Sequence, residues 1–487
     1  GYNYQARYSK HDVEVQKGTK AAGDLKFNAD VRLLNSDTNI TSGIVNVNGF
    51  EINRGNSSYR ANNMSLKLDN TSDNHSAELS APFARVRYSG PAPLDVFSKK
   101  FYDIAVTSKV GNILPRDTSA VYASGSYDFS LLTLKTRDLF SIFSPGLYIE
   151  DSTKLSININ KGDTLSASIL SGRLALNKNY LKGLDMTLSS DTLNPTAISL
   201  FSKEIHVAGL TMDSTAVDVN AADNIVDAGF VFRNGSTEKN SAHILSRVEF
   251  TPKKDILVNL LEGSDIRLDG EKWIFTPSLI AFRDSVIRVD NFKIANKEQL
   301  FSLEGNVSKY NADTLLFGMN NFNVEIFNMF FSKSFDIQGL FSGNGVVSDL
   351  YREPKVFFNI DGEDVSVYQN KVGALKLMSK WNDMRKELNL LVKSSLDNKV
   401  TFNATGFYRP EDRYMNLNAS LEDLSVGYFE PFLSDVISRS SGSMSGDLKL
   451  SGPLDQLALT GENCHFNNFK FILNFTSFLF TKFISST

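Results

Sequence analysis

Five histidines, one cysteine and a few glycine-containing runs are the places where residue type and spacing in this chain might be expected to do chemistry. His11, His75, His206, His243 and His465 are dispersed, and none has a second His or a Cys at metal-ligand spacing. Cys464 stands alone, which excludes an internal disulfide and a cysteine-built zinc site. In Gly442-Ser-Met-Ser-Gly446, Met444 occupies the place where a nucleophile elbow needs its Ser. Gly343-Asn-Gly345-Val-Val-Ser348 lacks the third glycine of a dinucleotide loop, and no Walker-type loop occurs. Glu363 and Asp364 are adjacent acids of a kind usually solvated on a turn. The reading is therefore a protein that is not an enzyme, with no catalytic residue, no cofactor and no metal. Two acids hidden on a β-helix, as in a glycoside hydrolase, would leave no local motif, so spacing alone keeps that alternative open.

Composition narrows the class further. The 487 residues carry 51 basic and 55 acidic side chains, a net charge of −4, scattered along the whole length. Without a basic stripe or patch, nothing points to nucleic acid. The apolar share of 41% suits a thin core, and 36 Phe stand against 2 Trp and 16 Tyr. No run of 18 or more apolar residues offers a membrane helix. The nearest approach, 466–484, is broken by Asn467, Asn468, Lys470, Asn474 and Lys482. Gly1-Tyr2-Asn3 brings no initiator Met and no apolar leader, so the sequence reads as a fragment of a longer protein.

The dominant pattern is alternation with period two. Leu155, Ile157 and Ile159 alternate with Ser156 and Asn158; Lys161-Gly162-Asp163 then turns the chain into Leu165, Ala167 and Ile169, and Leu174 and Leu176 follow. The same alternation recurs at Phe402 and Ala404, at Met415 and Leu417, and at Leu448 and Leu450. Asn48-Gly49, Asn234-Gly235, Asp269-Gly270 and Asp361-Gly362 read as hairpin turns between such runs. About 11 residues per strand and turn is the expected spacing.

A long repeat overlies this. Phe322, Val324, Phe327, Phe330, Phe331 and Ser332 align with Leu424, Val426, Phe429, Phe432, Leu433 and Ser434 (424 − 322 = 102; 434 − 332 = 102). Gly339-Leu-Phe-Ser-Gly343 then aligns with Gly442-Ser-Met-Ser-Gly446 (442 − 339 = 103), and a weaker copy starts at Asp138. Spacing of three and four at Val426, Phe429, Phe432/Leu433 and Val436 predicts a short amphipathic helix in each copy. The domains drawn from these signals are an N-terminal β-rich segment at 1–130 and a β-meander at 131–320. Repeat copies follow at 321–423 and 424–470, and an atypical Phe-rich end at 471–487.

The fold class predicted is all-β: an elongated, curled antiparallel sheet of the β-taco or solenoid-like kind, with short helices at the repeat junctions. Its apolar face must meet a second sheet, close on itself or cover an apolar ligand. Period two fits a packed core as well as a groove, and periodicity does not choose between them. If a groove, its lining would be Leu155, Ile157, Ile159, Leu165, Ile169, Leu174 and Leu176, with Phe402, Ala404, Met415, Leu417, Leu448 and Leu450.

The stretch from Tyr428 to Ile437, followed by Ser441-Gly-Ser-Met-Ser-Gly-Asp-Leu-Lys-Leu-Ser-Gly-Pro-Leu-Asp-Gln-Leu-Ala-Leu-Thr-Gly461, resembles the TamB family of the AsmA-like superfamily. Gly339 to Gly362 looks like a diverged copy of it. The resemblance is clearest over 320–470, and the Asn- and Ser-rich N-terminal part is similar to the Bacteroidetes branch. It implies a periplasmic protein of a diderm envelope, anchored in the inner membrane by its parent chain, with phospholipids and an Omp85/TamA-type outer-membrane protein as partners. The implied function is phospholipid movement between inner and outer membrane through a hydrophobic β-groove. Two alternatives stand beside it: a scaffold or chaperone for outer-membrane protein assembly and secretion, and a carbohydrate-binding or adhesive β-solenoid.

Overall fold

A computed structural model of the chain describes residues 2–8, 11–14, 22–35, 41–54, 57–117, 119–234, 239–268, 270–310, 313–325, 337–351, 354–367, 370–428 and 437–473. The fold is all-β and antiparallel, as the alternation predicts. It forms two compact units, Gly1–Lys272 and Trp273–Thr487.

In the first unit the strands from Tyr127–Thr133 onward lie beside one another in chain order, from Lys154–Ile159 and Leu165–Leu176 to Ile225–Asn234 and Asn240–Phe250. The tight turns between them follow from local chemistry. Ala208-Gly209 has φ of 52° and 86°, and Asp223-Asn224 has 51° and 65°. That pair of positive angles is the two-residue hairpin geometry whose twist matches the flanking strands. Strands such as Asn179–Ser190 and Thr196–Val207 run to 12 residues each, longer than the expected strand-plus-turn spacing.

That length has a physical reason, because each of these strands crosses a seam. Ala81, Ala84, Thr133, Thr153, Ser171, Leu184, Ser202 and Thr215 follow one another across neighbouring strands, and all are buried. Their hydroxyls are satisfied locally, as burial requires. Thr133 Oγ1 donates to the Glu150 carbonyl at 2.8 Å, and Ser202 Oγ lies 2.9 Å from the Lys182 carbonyl and 3.0 Å from that of Glu204. Gly183 (φ 62°) and Ser214 (φ 43°) sit beside the seam, where the pleat is broken. Three residues beyond it the apolar row resumes at Leu174, Leu181, Ile205 and Met212, which pair with one another in turn. Ser202→Ala is expected to cost about 1 kcal/mol, because the single hydroxyl proton shared between the Lys182 and Glu204 carbonyls is lost. A urea titration measures that cost, and an unchanged midpoint would show that the seam hydroxyls are idle.

The second device is a bulge with a fixed spelling. Val47-Asn-Gly-Phe50, Val289-Asp-Asn-Phe292, Met319-Asn-Asn-Phe322, Gly362-Glu-Asp-Val365 and Leu421-Glu-Asp-Leu424 each place a positive φ at the third residue: Gly49 60°, Asn291 54°, Asn321 45°, Asp364 48° and Asp423 52°. At each one the pairing register shifts by a residue. The extra residue returns the apolar positions on both sides to one face, so Leu421 and Leu424 share a buried cluster with Val426 and Met444. Asn48-Gly49 and Asp361-Gly362 are therefore not hairpin turns. They lie inside the strands Thr41–Arg54 and Lys355–Val367: the positive φ of Gly49 serves a bulge, and Asp361 and Gly362 are regularly paired residues ahead of the bulge at Asp364. Gly235 and Asp269 of the other two pairs lie outside the described residues.

The repeat is structural where it can be compared. Phe322 and Leu424, 102 residues apart, are both buried and both follow the bulge residue. The helix read around Val426 to Val436 falls largely on residues 429–436, outside the described residues, as does its first copy at 326–336. The weaker third copy is a helix, α1, Arg137–Phe143, whose Ile142 packs into the cluster of Ile52, Tyr59 and Ala61.

Candidate apolar track

Cross-strand registration turns the alternation into continuous rows, each formed by apolar side chains from successive strands standing side by side. In the first unit one row leads from Val31, Val45, Leu66 and Leu79 into Val86, Leu131 and Leu155. It runs on through Ile169, Met186 and Leu200 to Val217, Phe230 and Ile244. No polar residue interrupts it, and each member is half-buried. At about 4.8 Å between strands the row extends on the order of 60 Å. Half-buried side chains in such a line leave part of their apolar surface open to solvent.

A parallel row two residues away includes Ala77, Tyr88, Phe129, Ile157, Ala167, Leu188 and Ile198. A third, two residues further, holds Tyr127, Ile159 and Leu165, all at 0% exposure. Protein covers this third row. The helix α2, Leu94–Tyr102, runs into a π-helical turn, Asp103–Thr107, and Phe97, Ile104 and Ala105 pack on Tyr88, Tyr127, Ile159 and Leu165. Pro93 precedes α2, Asp95 lies in its first turn, and Lys99 and Lys100 lie in its last, the arrangement its dipole favours.

Polar groups fix this covering segment over the hairpin turns. Lys100 Nζ meets Asp163 Oδ1 at 2.6 Å and lies 5.0 Å over the Tyr127 ring. Lys109 Nζ donates to the Asp191 and Asn194 carbonyls at 2.6 and 2.7 Å, and its burial lowers its pKa. Asn112 Nδ2 donates to the Phe250 carbonyl, and Ser190 and Thr196 donate to the carbonyls of Ile104 and Ala105. Arg116 grips Asp103 through two bonds of 2.8 and 2.9 Å, which raises the Arg116 pKa. The Tyr88 and Tyr127 hydroxyls donate to the carbonyls of Ala92 and Ala123, and burial raises both phenol pKa values. Their contribution to stability is whole below the unfolded pKa of about 10 and is lost as pH rises through the raised values. The expected result is loosening of this segment in alkali that Tyr88→Phe and Tyr127→Phe remove, checked by phenolate absorbance alongside circular dichroism.

The sequence-selected residues therefore divide. Leu155 and Ile169 stand in the open row, Ile157 in the row at its side, and Ile159 and Leu165 beneath α2. Leu174 and Leu176 lie past the seam, out of step with Ile169. There they line an apolar cavity of about 380 Å³ with Leu147, Ile149, Leu181 and Val207, and Leu176 is 56% exposed. On the polar side of the strands from Met64–Asn70 to Lys154–Ile159, a second concavity of about 480 Å³ is lined by Lys67, Glu78, Arg87, Asp128, Ser130 and Ser156, among others.

In the second unit, Phe402, Ala404, Met415, Leu417, Leu448 and Leu450 come to one face of adjacent strands. Leu417 pairs with Leu450 and with Gly406, while Ala404 pairs with Ala419 and through it with Leu448. These rows differ from those of the first unit by their glycines. The row from Phe317 passes through Gly345 to Phe358, and a Cβ at Gly345 would run into the Phe317 ring. The row through Phe341 passes Gly362, whose Cβ would stand 2.9 Å from that ring. Aromatic rings thus fill the space their glycine neighbours leave. The signal missed in the sequence was the bulge spelling itself, an apolar pair separated by two residues of which the second is Gly, Asn or Asp.

Among the described residues no group of three or more His, Cys, Asp or Glu comes together, and no helix is long and apolar enough to cross a membrane. The second statement says nothing of strands.

Residues 311–463 match the family model described as TamB, N-terminal domain. The match runs from the strand Thr314–Asn323 into Ala458–Leu473 and contains both glycine pairs, 339/343 and 442/446. No curated protein and no solved structure matches the chain. This region, with its glycine-paired repeat, carries the TamB N-terminal domain, of a family of the cell envelope related to lipid or protein transport.

Proposed function

We propose that the chain binds phospholipids by their acyl chains along the apolar rows and passes them between the inner and outer membranes, as a conduit without catalysis. The observation that carries this reading is the uninterrupted, half-buried row from Val31 to Ile244. Each methylene taken from water onto such a surface is favourable by about 0.8 kcal/mol. A lining of near-uniform chemistry gives no position a much deeper hold than the next, so a bound chain slides rather than stops. Polar side chains on the alternate positions keep the other face in water, and headgroups remain solvated at the rim. In this reading the protein works in the periplasm, its parent chain is held in the inner membrane, and an Omp85/TamA-type outer-membrane protein receives the cargo.

Photo-crosslinking from Leu155 and Leu417 tests the proposal, with Ser156 and Asn418 as opposite-face controls, in a diderm host and with lipid mass spectrometry as readout. Phospholipid adducts at the first pair and none at the controls are expected. Adducts to foreign polypeptide at all four positions would sink the lipid reading and favour a scaffold for outer-membrane proteins.

A further inference from the structure

We infer that residues 93–116 form a fixed side wall of the apolar track, which keeps acyl chains off Ile159 and Leu165 and holds them on the row through Leu155 and Ile169. This rests on the lipid reading and specifies where on the sheet the lipid travels. The rows through Leu155 and through Ile159 lie four residues apart, roughly 13 Å, yet the first is open and the second is filled by Phe97, Ile104 and Ala105. A cover meant to lift away would be held by few polar bonds near one hinge. This one is tied to successive hairpin turns along its length. Lys100 reaches Asp163, Lys109 reaches the carbonyls of 191 and 194, and the Asn112 backbone N–H reaches Asn224 Oδ1 at 2.7 Å. Lys100 and Lys109 are themselves buried, so their ammonium groups depend on these partners while the segment lies in place. On the opposite flank the seam of Ser171, Leu184, Ser202 and Thr215 is closed by its own hydrogen bonds. The open row is bounded on both sides.

The test places a photo-reactive residue at Leu155, Ile169, Ile159 or Leu165 of the full chain and exposes it to vesicles of phosphatidylethanolamine and phosphatidylglycerol. The expected yield of lipid adduct at Ile159 and Leu165 is at least tenfold below that at Leu155 and Ile169. In the unpinned variant Lys109→Ala/Asn112→Ala, which loses the side-chain bonds to the carbonyls of 191, 194 and 250, adducts at Leu165 should rise toward those at Ile169. Adducts at Ile159 or Leu165 of the otherwise native chain, or no rise in the unpinned variant, would overturn the wall and leave the lipid reading standing. Adducts at none of the four positions would overturn both. Because a bulky probe at a fully buried site can disturb folding, hydrogen exchange of residues 94–107 in the unsubstituted chain gives an independent readout. Exchange unchanged by vesicles supports a wall, and exchange accelerated by them shows a lid.

Discussion

Alanine at Gly343 is expected to destabilise the second unit by about 3 kcal/mol or more. Gly343 has φ of 150°, and a Cβ there would overlap the carbonyl oxygen of Asn359 and stand 2.7 Å from Ile360 Cα. Both obstacles are backbone of the neighbouring strand, so no side-chain rotation relieves them. The same holds one repeat later at Gly446, where φ is 145° and the Cβ would meet Cys464 Cα at 2.7 Å and the Asn463 oxygen at 2.8 Å. The Gly-x-x-x-Gly spacing that carries the family likeness thus has a mechanical meaning: it lets Ile337–Ser348 and Ile437–Pro453 approach their neighbours closely. Gly162→Ala is the control, since its φ of 101° is unusual but nothing lies within 4 Å of the added methyl. It should cost about 1 kcal/mol, the backbone strain alone. Equal losses at Gly343 and Gly162 in denaturant titrations would show that crowding is not the constraint.

The second large effect concerns transport. Ile169→Asp puts a carboxylate in the middle of the open row, between Leu155 and Met186 on the neighbouring strands. An acyl chain passing that point must strip water from the charge or leave the apolar surface to avoid it. The nearest measured analogue, a charged side chain at the centre of a membrane segment, costs about 2.5–3.5 kcal/mol. With 1.4 kcal/mol per tenfold, lipid transfer through the chain should fall by roughly two orders of magnitude. The fold should tolerate the change, because Ile169 is only half-buried and not sealed in a core. Lipid exchange between donor and acceptor vesicles measures it, with Ser168→Asp on the opposite face as the neutral comparison. Transfer by Ile169→Asp at the rate of Ser168→Asp would remove the row from the path of the lipid.

Much of this architecture is legible from residue order. Alternation at Leu155-Ser-Ile157-Asn-Ile159 names the strand and its faces, since side chains of a strand point alternately to either side whatever the partner. The 102-residue offset between Phe322 and Leu424 survives as a shared position after a bulge. What alternation does not carry is its own interruption. Ser171 reads as one more polar residue of a half-buried strand, yet it is 3% exposed, held by Thr153 across the seam. Leu174 matches Ile169 in apolarity, but the step from 169 to 174 crosses the seam.

Sequence by itself determined that this chain is all-β, that its strands are two-faced, that its repeat turns on paired glycines and that it resembles the TamB family. Each of these rests on local stereochemistry or on residue identity, which need no partner to be expressed. Tertiary structure alone decided which apolar positions remain open. Ile159 and Leu165 have the same pattern as Leu155 and Ile169, and they differ because a segment more than 50 residues earlier in the chain lies over them (159 − 105 = 54). It decided likewise that Asn48-Gly49 and Asp361-Gly362 continue a strand instead of ending it, because the positive φ that a turn or a bulge can use falls at Gly49 and at Asp364, and the neighbouring strand's register selects the outcome.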